Sequence, residues 1–157
     1  MDLLQKQYQL VVASRAVLLR YFGPISPARF MQPVPGFAHE SMAGLHTHVA
    51  NVYVYWIGKI AMEREPVYFH TEPQRPVSAL HENFGLVDAL VADFFRRFPD
   101  PDEQLHRKME GEKGPRIFTA LEIFTHAITH EFHHKGQLLT MSRLLGYAPV
   151  DTDLIRT

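Results

Sequence analysis

The sequence contains no cysteine. This absence excludes disulfides, thiolate metal ligands and a thiol nucleophile carried by the protein itself, and it suits a reducing compartment. No apolar run is long enough to span a bilayer, and the first residues lack the apolar core of a signal peptide. Lys and Arg number 16 against 17 acidic residues, so no excess of positive charge attracts nucleic acid. These absences predict a cytoplasmic protein without a nucleic-acid or membrane partner.

The rest of the composition is that of an ordinary globular protein. Apolar residues make up 46% of the chain and charged residues 21%. A chain of 157 residues fits one domain and is too short for two domains of ordinary size. We therefore predict a single domain over residues 1–157.

Apolar residues recur with the spacing of an α-helix in four long segments of the chain. The second segment begins near His39, and its apolar stripe includes His48. The fourth begins with a capping-box pattern formed by Thr119 and Glu122, and Gly146 is a stop signal. The predicted helices are the segment up to residue 22 and residues 39–65, 80–98 and 119–146.

Two connectors interrupt this helical pattern. Residues 23–36 contain four prolines, which predict a surface connector without helix or central strand. Residues 99–118 are rich in Pro and Gly, and we expect a loop there with a short hairpin or an irregular turn. The predicted fold class is all-α, a four-helix bundle with a proline-rich first connector and a short irregular or hairpin segment before helix four.

Two histidines of the fourth helix have the spacing of a metal chelate. His130 and His134 are four residues apart, so their side chains lie one above the other and can converge on one ion. A third ligand must come from another helix, and His48 is the best candidate because it lies in phase with an apolar stripe. One such histidine alone is usually a core residue, but three buried imidazoles on facing helices are satisfied together by a metal. The sequence thus predicts a three-histidine metal site.

Two further polar residues of the fourth helix are candidates for the surroundings of the metal. His126 lies one turn before His130 and is predicted to line the pocket or to bond to a ligand. Gln137 follows His134 by three positions and is suited to orient a ligand or a substrate. A polar residue at a helix seam is an equally ordinary interpretation of Gln137.

The remaining histidines give weaker signals. His46 is about 160° from His48 around the second helix, so we expect it to face solvent or a neighbour. His133 fits a helix boundary or a contact between subunits. The others show no spacing relation and receive no chemical role: His39, His70, His81 and His106.

The metal-binding stretch also matches a peptidase motif. Its letters His130-Glu131-Phe132-His133-His134 read H-E-x-x-H, in which a zinc peptidase uses Glu131 as its base. Such enzymes usually take a third ligand from downstream, yet no Glu or His follows His134. They also hold an extended peptide, and the sequence shows no convincing strand for it. A peptidase is therefore a disfavoured alternative, which requires Glu131 to point at the metal.

Three stretches of the chain are similar to a known family. They are residues 130–138, residues 144–149 with residues 151–154, and His48 with Trp56 eight positions on. Through them the chain resembles, over nearly its whole length, the DinB-like family of metal-binding four-helix proteins, also called the DinB/YfiT group. The resemblance implies a bundle with the metal in a pocket at one end, and three ligands: His48, His130 and His134.

The resemblance also implies a cofactor, partners and an activity. The cofactor is one divalent transition metal ion, nickel or zinc, with iron or manganese as alternatives, and the protein is a homodimer. Three neutral imidazoles leave an open coordination position, which is typical of catalytic sites. In relatives this site points to the transfer of a low-molecular-weight thiol, such as bacillithiol or mycothiol, to an electrophilic small molecule.

Our leading hypothesis from the sequence is a metal-dependent thiol transferase or isomerase. The alternative is a stress-related protein that binds metal or thiol without turnover. The candidates for a place in the pocket or next to a ligand are Tyr53, His126, Glu131 and Gln137.

Overall fold

The structure is a computed structural model that describes residues 2–71 and 77–155. These residues form five α-helices, one π-helical segment and one antiparallel two-stranded sheet. In chain order the elements are α1 Asp2–Phe22, α2 Pro27–Phe30, α3 Met42–Tyr53, the π-helical segment Val54–Ala61, α4 Ala79–Arg97, β1 Gln104–Lys108, β2 Pro115–Thr119 and α5 Ala120–Leu144. The prediction of a mainly helical fold is confirmed. No described helix is both long and apolar enough to cross a membrane.

The first connector contains a helical turn that the sequence interpretation excluded. Pro27 is the first residue of α2, a position where its missing amide proton costs no hydrogen bond. The Ser26 side chain accepts a hydrogen bond from the Arg29 amide and so caps the turn. Phe30 is buried at the end of this turn. The prolines were correctly placed in a connector, but one of them starts a helix instead of preventing it.

The second predicted helix is α3 together with the π-helical segment that continues it. α3 contacts both α4 and α5, so nearly its whole circumference is covered. His46 is consequently 2% exposed, between the rings of Phe22 and Phe84, so of the two predicted surroundings, solvent or a neighbour, it has the second. Burial lowers the pKa of His46 to about 3, which keeps the ring neutral.

The loop predicted before the last helix is a hairpin in which β1 pairs with β2. Its Arg107 reaches the end of the π-helical segment, where Nε donates to the Ile60 carbonyl at 2.6 Å and a terminal nitrogen donates to the Ala61 carbonyl at 2.7 Å. The last carbonyls of a helix have no partner within the helix. The hairpin therefore stabilises the end of the π-helical segment by supplying these donors.

α5 begins and ends as its sequence signals predict. The Thr119 side chain accepts from the Glu122 amide, and the Glu122 carboxylate accepts from the Thr119 amide, which completes a capping box. Past the end of the helix, Gly146 has a φ of 91°, which a residue without Cβ adopts without strain. The following tail is held by Lys135, whose Nζ donates to the Thr152 carbonyl at 2.7 Å.

A buried polar network lies among the apolar side chains of the core. The Arg15 side chain is 3% exposed, and its Nε and one terminal nitrogen donate to the two Glu131 oxygens at 2.8 and 2.9 Å. The other terminal nitrogen donates to Asp88 at 2.7 Å. Tyr8 donates to Asp88 at 2.6 Å, and Tyr53 donates to Glu131 at 2.5 Å. One guanidinium is thus shared by two carboxylates, and the network joins α1, α3, α4 and α5.

We expect Arg15→Met to lower the free energy of unfolding by about 3–5 kcal/mol, because it leaves the buried Glu131 carboxylate without its cation. Urea unfolding followed by circular dichroism measures the change. The matched control is Arg64→Met, which breaks the exposed ion pair between Arg64 and Asp93 and should cost less than about 1 kcal/mol. Equal losses in the two variants would contradict a structural role of the buried network.

Candidate metal centre

Three histidines from two helices converge at one point. His48 comes from α3, and His130 and His134 come from α5. The Nε2 atom of His130 lies 3.1 Å from Nε2 of His48 and 3.0 Å from Nε2 of His134. One ring nitrogen from each residue lies within 4.8 Å of the other two, and this group could hold a metal ion. The structure brings together the three residues that the sequence predicted as ligands.

The separations of these nitrogens suit a shared cation. A tetrahedral zinc ion with Zn–N bonds of about 2.0–2.1 Å places its nitrogens roughly 3.3 Å apart. A neutral imidazole nitrogen carries either a proton or a lone pair, so Nε2 of His130 cannot donate to one neighbour and accept from the other. A cation satisfies the lone pairs of all three rings at once. The residues present therefore fit a divalent ion bound by imidazole.

The charge state of the rings is also that of metal ligands. Burial, together with the neighbouring histidines, lowers the pKa of His48 and of His130 to about 4. Burial is the main reason that the pKa of His134 is lowered as well. The imidazoles are therefore neutral near neutral pH, and their lone pairs are available to an ion.

Gln137 fixes the orientation of one predicted ligand, His134. Its Oε1 lies 2.7 Å from Nδ1 of His134. An amide oxygen only accepts, so Nδ1 carries the proton and donates, which leaves the lone pair on Nε2 facing the other two rings. The amide nitrogen of Gln137 lies 3.2 Å from Nε2 of His133 and thereby ties its own position to a second ring. The structure thus places this candidate where it orients His134.

His39 lies beside the three rings, although its sequence position gave no such signal. Its ring stacks on His48 with centroids 4.1 Å apart and an angle of 22° between the planes, and it faces His134 edge-on at 6.3 Å. The connector brings it there by passing close over the first turn of α3, since a Cβ on Gly44 would lie 2.7 Å from the His39 carbonyl oxygen. This contact depends on tertiary structure, so no local pattern in the sequence could reveal it.

His126 and Trp56 border the cluster on the side of His130. The His126 ring is nearly parallel to His130, with centroids 5.7 Å apart, and Trp56 contacts His126 at 4.6 Å. Trp56 belongs to the π-helical segment, whose hydrogen bonds join residues five apart instead of four. Each residue of a π-helical turn rotates the chain around the helix axis by a smaller angle than a residue of an α-helix does. Trp56 therefore stays closer to the face of the helix that carries His48. In the structure His126 lies beside His130, one of the predicted ligands.

The other two pocket candidates, Tyr53 and Glu131, lie in the core instead of the pocket. Tyr53 has no exposed surface, and Glu131 is 7% exposed. The Glu131 carboxylate accepts from Tyr53 and from Arg15, as described above. A residue one position from His130 points about 100° away from it around the helix, and in this fold that direction leads to Arg15 and Tyr53 in the core. The peptidase interpretation needs this carboxylate at the metal, so the structure disfavours it.

The fold and the site define a mainly helical protein with a three-histidine group suited to a metal ion. A family model described as the DinB family matches residues 2–157. The chain belongs to the DinB family, as its motifs indicated. No curated protein matches it.

We expect His48→Ala and His130→Ala each to abolish stoichiometric binding of nickel or zinc, because each removes one of three nitrogens that share the ion. Elemental analysis after dialysis against the metal measures the bound amount. The control is His106→Ala, which removes an exposed histidine of β1 and should bind as much metal as the unchanged protein. Full metal content in His130→Ala would reject the proposed ligand set.

We expect Gln137→Ala to weaken metal affinity by about 10- to 100-fold while one ion still binds, because partners of metal-bound histidines act through ligand orientation. Competition with a chromogenic chelator gives the affinity. Thr140→Ala is the matched control, since Thr140 is an exposed polar residue one turn further along α5. An unchanged affinity in Gln137→Ala would show that the bond to His134 does not orient the ring in solution.

Proposed function

We propose that this protein is a divalent-metal-dependent enzyme, a thiol transferase or isomerase-like protein that joins a low-molecular-weight thiol to an electrophilic small molecule. Its metal is nickel or zinc, with iron or manganese as alternatives, and its ligands are His48, His130 and His134. The proposal includes a cytoplasmic homodimer and a single-domain four-helix bundle formed by α1, α3 with its π-helical continuation, α4 and α5.

The observation that carries the proposal is the convergence of three neutral imidazole nitrogens without a fourth protein ligand among the described residues. Closed structural sites usually have four protein ligands, whereas catalytic sites keep one position for water or substrate. Imidazole nitrogens suit zinc, nickel and iron and disfavour magnesium and calcium, which prefer oxygen. The donor set therefore supports a transition metal with an accessible position.

The absence of cysteine supports a thiol as the partner. A bound divalent ion would supply Lewis acidity at this position and lower the pKa of a thiol that reaches it. The chain itself has no sulfur nucleophile, so the sulfur must come from a small molecule. His48, His130 and His134 would hold the ion, Gln137 would fix the ring of His134, and His126 would border the entrance.

A second candidate function is binding of metal or thiol without turnover. One observation favours it: the carboxylate next to the ligands in sequence, Glu131, is engaged by Arg15 and Tyr53 in the core and is not available as a base. In this alternative the site stores or senses a metal or a thiol under stress. The two candidates differ only in whether a conjugate is formed.

A conjugation assay tests the proposal. Nickel- or zinc-loaded protein is mixed with an aryl halide and with bacillithiol, mycothiol or free cysteine, and product is followed by absorbance. In the reaction an S–C bond forms, the carbon–halogen bond breaks, halide leaves and the thiol proton passes to the buffer. We expect at least one thiol to react faster than the uncatalysed rate, with the rate lost on chelation and restored by added metal.

The controls separate the two candidates. His130→Ala should react at the uncatalysed rate, and His106→Ala should react like the unchanged protein. Stoichiometric metal without acceleration by any thiol would reject the transferase and favour the binding protein. Acceleration that persists in His130→Ala would reject the three-histidine site as its origin.

A further inference from the structure

An aromatic surface borders the metal centre on one side. Its members are Trp56 of the π-helical segment and His126 of α5, whose rings contact each other with centroids 4.6 Å apart. Trp56 is half-buried and His126 is exposed, so neither residue is enclosed by the core. We call this pair the aromatic wall.

The indole of the wall is held in a fixed plane by its neighbours. Tyr55 contacts it edge-on at 5.4 Å and an angle of 89°, and Phe118 of β2 contacts it edge-on at 5.8 Å and an angle of 81°. Edge-to-face contacts of this kind are favourable for aromatic rings and oppose rotation of the indole. A rigid ring loses little conformational entropy when a ligand stacks on it.

The wall lies next to His130, whereas other histidines contact the other two predicted ligands. His39 covers the face of His48, and His133 packs against His134 at 4.9 Å. On the remaining side, His126 lies nearly parallel to His130 at 5.7 Å and connects the cluster to Trp56. A ligand on the ion that projects past His130 would therefore meet the wall.

We propose that the aromatic wall binds a flat, conjugated group of the substrate while another atom of that substrate, or its thiol partner, occupies the metal. This inference rests on the metal site of the proposed function, and it names the substrate class as planar and conjugated. Trp56 is the specificity-determining residue, because an aliphatic group of equal size cannot stack on the indole as closely as a flat ring.

The test uses metal-binding probes that do not depend on thiol chemistry. Benzohydroxamate and cyclohexanecarbohydroxamate bind a metal through the same group and differ in the flatness of a six-membered ring. Isothermal titration calorimetry on the zinc-loaded protein gives both dissociation constants. We expect benzohydroxamate to bind roughly 2- to 12-fold more tightly than the cyclohexane compound.

The variants assign this preference to the wall. Trp56→Leu should bind both hydroxamates about equally while its zinc content is unchanged, and Trp56→Phe should retain part of the preference. His126→Ala, which alters an exposed residue, should reduce the preference without unfolding the protein. The matched control is Tyr68→Leu, which removes a partly exposed aromatic ring outside the wall and should preserve the full preference.

Each outcome bears on the inference. Equal affinities of the two hydroxamates in the unchanged protein would contradict the binding of a flat group by the aromatic wall. An undiminished preference in Trp56→Leu would contradict it as well. A preference that disappears in Trp56→Leu supports the wall even if no thiol is conjugated, in which case only the transferase activity fails. A protein that takes up none of zinc, nickel, iron and manganese would overturn both the metal site and the wall.

Discussion

The closeness of three neutral imidazole nitrogens is the constraint on which the site depends. Nε2 of His130 lies at about hydrogen-bonding distance from Nε2 of His48 and of His134, and it cannot donate to one of them while it accepts from the other. The surrounding residues hold the rings in this arrangement. Gln137 fixes the tautomer of His134, and His39 stacks on the face of His48. The structure therefore orients the donors through contacts that do not involve an ion.

Two adjacent residues of α5, His130 and Glu131, face different environments. His130 faces the candidate metal centre, where burial keeps imidazoles neutral, whereas Glu131 faces the core, where it pairs with the Arg15 guanidinium. The same five letters in a zinc peptidase place the glutamate beside the ion. Here the Arg15 guanidinium and the Tyr53 hydroxyl bind the Glu131 carboxylate in the core instead. A motif match therefore fixes the spacing of the histidines but not the groups that surround the residue between them.

The sequence predicted what depends on local geometry. The pair His130 and His134 followed from helical spacing, and His48 followed from its phase on an apolar stripe. The long helices followed from periodicity in the same way. His39 and His46 could not be placed, because the first depends on a close passage of the connector and the second on helices that cover α3 from two sides. The π-helical segment likewise has no recognised sequence signal. Its end is stabilised by Arg107 of the hairpin, which donates a hydrogen bond to the Ala61 carbonyl.

The core also sets the register of the two helices that carry the ligands. Tyr53 of α3 bonds to Glu131 of α5, and the nearby His48 and His130 meet across the same pair of helices. A slip of one residue along a helix moves its side chains by about 1.5 Å, which would break the buried bond and separate the imidazoles together. An unmade buried hydrogen bond costs about 1–3 kcal/mol. The buried bond between Tyr53 and Glu131 thus helps to hold the register of the two helices that bring His48, His130 and His134 together.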